Sequence, residues 1–140
     1  MNKREMKELT IDAAAENIPA VTDFVNERLE EMGCPVKARM QIDIAIDELF
    51  GNIACYAYNP GTGAATVRVE ITEDPLAAVI TFIDSGVPYD PLKKQDPDTA
   101  LSAEERQIGG LGIYMVKKSM DGISYEYTNG QNILSIMKRF

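Results

Sequence analysis

Residues 41–58 read QIDIAIDELFGNIACYAY. Ile42, Ala45, Ile46, Leu49 and Ile53 recur three and four apart, the spacing at which side chains share one stripe of an α-helix. The pattern predicts a helix from about Val36 to Ala57, broken by Asn59-Pro60-Gly61. Glu48 and Asn52 are four apart, so they project about 40° from each other around the axis. They fall about 100° from the centre of the apolar stripe, at the flank of the buried face, where a crevice can open. Gly51 is expected on the outer side, leaving room for close approach. By itself Glu-x-x-x-Asn also suits a solvated polar pair, so its neighbours in the fold must decide.

Working outward, the next two apolar stretches read as strands, near Thr66 to Thr72 and Leu76 to Asp84. Glu73-Asp74-Pro75 makes the turn between them. The second, LAAVITFID, is apolar through most of its length and is expected at the centre of a sheet. Towards the N-terminus, a short strand fits Glu8 to Ala13. Asn17 is expected to cap a helix from Ile18 to about Met32, with Pro19 in its first turn, a Val21, Phe24, Val25 and Leu29 face, and Gly33 as its end.

Towards the C-terminus, Tyr89 to Ile108 is polar, carries Pro91 and Pro97 and has no sustained period. Ser102-Ala103-Glu104-Glu105 inside it fits a capping box. A helix is expected from about Gly112 to Met120. A hairpin then closes the chain, with Ile123 to Thr128 and Gln131 to Lys138 joined by Asn129-Gly130. These elements give an α+β fold, a two-layer sandwich of helices on one face of a mixed, largely antiparallel sheet. Its 140 residues suit one domain spanning 1–140.

Composition removes several function classes. The formal net charge of −8 disfavours direct nucleic-acid binding, which rests on Lys and Arg neutralising phosphates. No apolar run is long enough to span a membrane, and MNKREMKELT lacks a signal-peptide segment, so a cytoplasmic protein is expected. Cys34 and Cys55 belong to no metal-spaced cluster and are expected as reduced thiols. Histidine is absent. That excludes Ser-His-Asp and Cys-His pairs, His metal sites and phosphorylation on an internal histidine. Acid–base work must fall to carboxylates, Lys, Tyr or Cys.

Two further motifs join the Glu48/Asn52 pair. Asp84-Ser85-Gly86 closes an apolar strand, so Asp84 emerges from the sheet into a partly buried pocket. Its carboxylate is suited to accept a hydrogen bond from an exocyclic amino group such as adenine's. Gly86 lets backbone come close to a flat ring. Gly109-Gly110-Leu111-Gly112 enters a helix, where exposed backbone N–H groups and the helix dipole suit phosphate. It lacks the Gly-Lys-Ser/Thr of a P-loop, and no apolar strand leads directly into it. Each motif alone has a plain alternative: a polar surface pair, a turn, a hinge. Together, and in this order, they divide one nucleotide into metal and γ-phosphate, base, and phosphate chain.

ELFGN, DSG and GGLG in this order resemble the three boxes of the gyrase, heat-shock chaperone, histidine kinase and mismatch-repair ATP-binding superfamily, whose fold is the Bergerat fold. The likeness covers roughly Val36 to Phe140. IDELFGNIACYAY, DSGVPYDP and ERQIGGLGIYMVKKSMD are similar to the bacterial anti-sigma-factor serine/threonine kinases within it. The resemblance implies ATP and Mg²⁺ as cofactors. Glu48 would be the general base, Asn52 the Mg²⁺ ligand, and Asp84 the reader of adenine with Gly86 beside it. Gly109, Gly110, Leu111 and Gly112 would hold phosphates, and about 89–108 would form a lid over ATP. The implied activity is transfer of phosphate to a Ser or Thr of an anti-sigma-factor antagonist, with sequestration of a sigma factor, by a homodimer.

Three positions depart from the pattern. Tyr56 stands where the kinases often carry His. Arg106 lies three residues before Gly109, whereas relatives can place Arg beside the glycine turn. Asn132 falls about where superfamily members often place Thr near adenine, and is expected to donate a similar hydrogen bond. A second function is consistent with the same motifs, a non-catalytic ATP-gated protein-binding module, which does not need Glu48; the absence of histidine argues against a third, an orphan sensor-kinase domain.

Overall fold

The computed structural model describes residues 6–59, 61–93 and 111–140. Five strands form one sheet: β1 (Lys7–Asp12), β2 (Ala64–Glu73), β3 (Leu76–Asp84), β4 (Gly122–Thr128) and β5 (Gln131–Arg139). Their order across the sheet is β1-β2-β3-β5-β4. Every described pairing is antiparallel. β3 is central, as its apolar run predicts.

Among the described residues, three α-helices lie against the sheet: α1 (Ile18–Glu31), α2 (Val36–Asn52) and α3 (Leu111–Ser119). Alternation decides which strand face they cover. Ala65, Val67, Val69 and Ile71 of β2, Ala78, Ile80 and Phe82 of β3, and Leu134 and Ile136 of β5 are buried in one core with the helices. Val21, Val25 and Leu29 supply α1's share, and Ala38, Ile42, Ala45, Ile46, Leu49 and Phe50 supply α2's. Among the described residues, no helix is long and apolar enough to cross a membrane.

Two turns follow from local chemistry. Gly33, at φ 76°, ends the α1 region, and Asn129 and Gly130, at φ 52° and 77°, make the β4–β5 hairpin turn. Two positive φ values in sequence are what a tight hairpin requires and what Asn-Gly tolerates.

Asn17 does not cap α1 with its side chain. Residues Ala15–Asn17 already form a 3₁₀ turn, so Asn17 has helical rather than extended backbone. Its amide instead donates to the Asp12 carbonyl at 2.9 Å.

α2 changes character at its end: Ile53–Ala57 continue the helix as a π-helical turn. Gly51 is half-buried rather than on the outer side, and a Cβ there would lie 4.0 Å from Ile18 Cδ1 of α1. Cys34 is buried and Cys55 exposed, and both are free thiols. Burial pushes the Cys34 thiol above its ordinary pKa, with Arg39 and Lys138 opposing the shift.

Candidate nucleotide site

The pocket opens between α2, its π turn and the ends of β3 and β5. Its cavity, counted with the open mouth, is about 440 Å³ and is lined by Leu49, Asn52, Ile53, Ala57, Phe82, Asp84 and Leu134, among others. That size and a mostly apolar wall with a few polar groups are usual for a small-molecule site. Tyr56 and Tyr89 also line it, their rings 5.9 Å apart and tilted by 37°.

Asp84 and Asn132 make one end polar. They are directly paired in the β3–β5 register and each is only 6% exposed. Asp84 Oδ1 accepts the Gly86 N–H at 2.9 Å and an Asn132 amide N–H at 2.9 Å. Asn132 donates its other amide hydrogen to the Val87 carbonyl at 2.9 Å. Its oxygen accepts the Tyr89 N–H at 3.1 Å and the Tyr125 hydroxyl. The amide is thus fully engaged within the protein.

The close approach permitted by Gly86 is also internal. A Cβ there would overlap the Ala57 carbonyl, which accepts the Val87 N–H at 2.9 Å. The loop after β3 is therefore sewn to the π turn of α2. Tyr58 adds a second stitch: its hydroxyl donates to the Ala64 carbonyl at 2.6 Å and accepts the Ser85 N–H at 2.8 Å. A π turn widens the backbone at one point of a helix, and such turns concentrate at functional sites. Here it separates Asn52 from the Ala57 seam.

At the other end, Asn52 donates to Glu48 Oε2 at 3.2 Å, and both side chains are half-buried. This places the pair at the flank of α2's buried face, as its spacing predicts. Gly112, in the first turn of α3, lies so close that a Cβ would overlap the Glu48 carboxylate. Glycine there lets the start of α3, where backbone N–H groups and the dipole favour negative charge, abut the acid.

The structure therefore brings together Glu48, Asn52 and Gly112, and separately Asp84, Gly86 and Asn132; of these, Asn52, Asp84 and Asn132 line the pocket. Gly109, Gly110, Arg106, the Ser102 capping box and most of the lid expected at 89–108 lie outside the described residues, and so does any test of them. Pro91–Lys93 form one 3₁₀ turn at the start of that stretch.

Tyr125 escaped sequence reasoning. Its signal was available in the hairpin register. Tyr125 is opposite Leu134 and Tyr127 opposite Asn132, so Tyr125 and Asn132 are diagonal neighbours on the core face of the sheet.

The histidine kinase-like ATPase domain family matches residues 11–138, and this chain belongs to that family. Within it, the chain is similar to the serine/threonine-protein kinase BtrW of Bordetella bronchiseptica, 28% identical over 100 residues that cover 71% of this chain and 70% of BtrW. It is likewise similar to the serine-protein kinase RsbW of Bacillus pumilus, 27% identical over 138 residues, covering 89% and 84% of the two chains.

Two solved structures share the fold. One holds the RsbU and RsbW domains of a Mycobacterium tuberculosis protein (TM-score 0.66, 18% identity), covering 96% of this chain and 32% of that longer one. The other is a SiaB–SiaC complex of Pseudomonas aeruginosa (TM-score 0.60, 18% identity), covering 94% and 89%.

Proposed function

We propose that this chain binds ATP with Mg²⁺, transfers the γ-phosphate to a Ser or Thr of a small anti-sigma-factor antagonist protein, and sequesters a sigma factor. The observation that carries the reading is the convergence of Glu48 and Gly112 on Asn52, which lines the same pocket as Asp84. An ATP binder needs Asp84; transfer of phosphate to a hydroxyl also needs an acid beside the phosphates to take the proton.

The residues fit the ligand. Asp84 Oδ1 is engaged, and Oδ2 accepts no hydrogen bond from the described residues, leaving it for an adenine amino group. Gly112 sets a helix start, whose backbone N–H groups favour phosphate, directly beside the Glu48 carboxylate. The fit to Mg²⁺ is of a particular kind. Among the described residues no cluster of three carboxylate or thiol ligands could hold a metal alone. Mg²⁺ characteristically takes one or two protein oxygens and completes its shell with phosphates and water. The Asn52 amide donates its N–H to Glu48, so its oxygen is the atom left for the ion. Bound there, the ion would neutralise phosphate charge.

The substrate hydroxyl gives its proton to a Glu48 carboxylate oxygen, its oxygen bonds to the γ-phosphorus, and the bond from that phosphorus to the β–γ bridging oxygen breaks to release ADP. A protein substrate needs a landing surface beside the acid. On α2 the row Val36, Met40, Ile44 and Glu48 advances by four, and the first three are more than half exposed. They offer apolar contact area leading to Glu48. The family likeness also implies a homodimer, which light scattering tests directly.

With labelled ATP and a cognate antagonist, label should pass to the antagonist. Glu48→Ala should slow that transfer by about 10²–10⁴-fold, the usual worth of a general base, while ATP affinity stays nearly constant. Transfer that survives the substitution would remove Glu48 from the chemistry. Tight ATP binding by the wild-type protein with no transfer to any antagonist would favour the non-catalytic, ATP-gated binding module.

A further inference from the structure

Within the reading of this pocket as an adenine nucleotide site, the buried amide of Asn132 has a role of its own. An asparagine side chain has two N–H hydrogens to give and one oxygen with two lone pairs. All four are committed: to Asp84 and the Val87 carbonyl on one side, and to the Tyr89 N–H and the Tyr125 hydroxyl on the other. The orientation of the amide is dictated by its partners. The Val87 carbonyl only accepts and the Tyr89 N–H only donates, so a flipped amide would face acceptor to acceptor and donor to donor. Asn132 comes from β5, and its partners come from β3, the loop beyond it and β4. The cluster forms only when the sheet is complete.

The consequence falls on Asp84. Its Oδ1 is held by Asn132 and by the Gly86 N–H at 2.9 Å each. The carboxylate is fixed about its last torsion, and Oδ2 is the oxygen left over. A carboxylate oxygen held in this way only accepts. It suits a purine with an amino group at position 6 and opposes one with a carbonyl there.

We propose that Asn132 is a positioning residue and not a ligand contact: braced by Tyr125, Val87 and Tyr89, it sets the rotation of Asp84 and so the preference for a 6-amino purine. The sequence places Asn132 near the base. The structure assigns it to the protein side of that contact.

Calorimetry separates the two roles. ADP, GDP and purine riboside 5′-diphosphate, which keeps the ring nitrogens but lacks any 6-substituent, are titrated into wild-type protein, Asn132→Ala and Tyr125→Phe. The wild type should bind ADP at least about tenfold tighter than purine riboside diphosphate, from one hydrogen bond to a charged group. Asn132→Ala should lose most of that preference, weakening ADP about tenfold while purine riboside diphosphate stays within about twofold. Tyr125→Phe removes one hydroxyl and should cut the preference by about threefold, the lower range for a neutral hydrogen bond.

Equal weakening of ADP and purine riboside diphosphate in Asn132→Ala would overturn the proposal, because it would place Asn132 on the ring or in general support of the fold. If that variant does not fold, Tyr125→Phe decides by the same ratio. A wild-type protein that binds ADP and purine riboside diphosphate equally would instead defeat the assignment of Asp84 to adenine, and the proposal with it.

Discussion

At the Asp84 end of the pocket, two buried side chains face each other across β3 and β5 and share five hydrogen bonds with each other, the loop after β3 and Tyr125. At the Glu48 end, two half-buried side chains on one helix share a single hydrogen bond of 3.2 Å, and a glycine stands where a side chain would collide with the acid. The difference lies in when order is imposed. The first end is ordered by folding itself, because its partners come from three strands and a loop. A ligand meeting it has little further ordering cost. Among the described residues the second end has fewer internal partners, and its carboxylate lies beside a helix start. Recognition suits the first arrangement. Chemistry suits the second, where groups must exchange partners during reaction.

That contrast is most sharply broken by Asp84→Asn. The substitution keeps size but replaces a carboxylate oxygen with an N–H donor, in a site where the ligand also donates. ATP affinity should fall by roughly 10–100-fold, the value of a hydrogen bond to a charged group. Calorimetry checks this, and unchanged affinity would overturn the map of the pocket. The Glu48→Ala variant described above should show the opposite pattern, with binding kept and transfer lost.

The seam between the ends gives a smaller, mixed effect. In Gly86→Ala the new Cβ overlaps the Ala57 carbonyl, and the Val87 N–H to Ala57 bond at 2.9 Å must open or shift. Overpacking of this kind costs about 1–3 kcal/mol, a melting temperature lower by on the order of 5 °C. Since the loop bears on both Asp84 and the π turn after Asn52, nucleotide binding and transfer should weaken together. A variant with wild-type melting and selective loss of one function would show the ends to be mechanically independent.

What was legible in the sequence was what neighbours in the chain decide. The α2 stripe, the central β3 run, the Gly33 stop and the Asn129-Gly130 hairpin depend on spacing or on one residue's backbone freedom, and each stands where it was read. So do Glu48 and Asn52, because four residues of helix fix their relation. Readings failed where distant chain decides. Asn17 has the chemistry of a cap, but the turn before it gave its amide another partner. Gly51 was read on the outer side of the helix, yet it is half-buried and faces Ile18. Asn132 is 48 residues from Asp84, so its saturation could be seen only once β3, β4 and β5 were aligned. The π turn has no local signature, since it accompanies the docking of the β3 loop.

The smallest expected effect probes Tyr125, the outermost brace of the Asp84 end. Burial raises its phenol above the ordinary pKa; the Tyr89 backbone hydrogen bond opposes this, and the Asp90 and Asp84 carboxylates and Tyr127 add to it. The folded protein therefore holds this proton to higher pH than the unfolded chain does. The contribution to stability is intact below the ordinary tyrosine pKa of about 10. It is lost as pH rises through the folded value, where the unfolded chain has already released its proton. Tyr125→Phe lacks this dependence, while the other tyrosines titrate in both proteins and cancel in the difference. Melting temperatures of the pair, followed from pH 7 to 11, should show a wild-type advantage that shrinks above about pH 10. An advantage that stays constant to pH 11 would mean that the phenol is not the proton donor bracing Asn132, and the ordered end of the pocket would then stop at the β3–β5 pair.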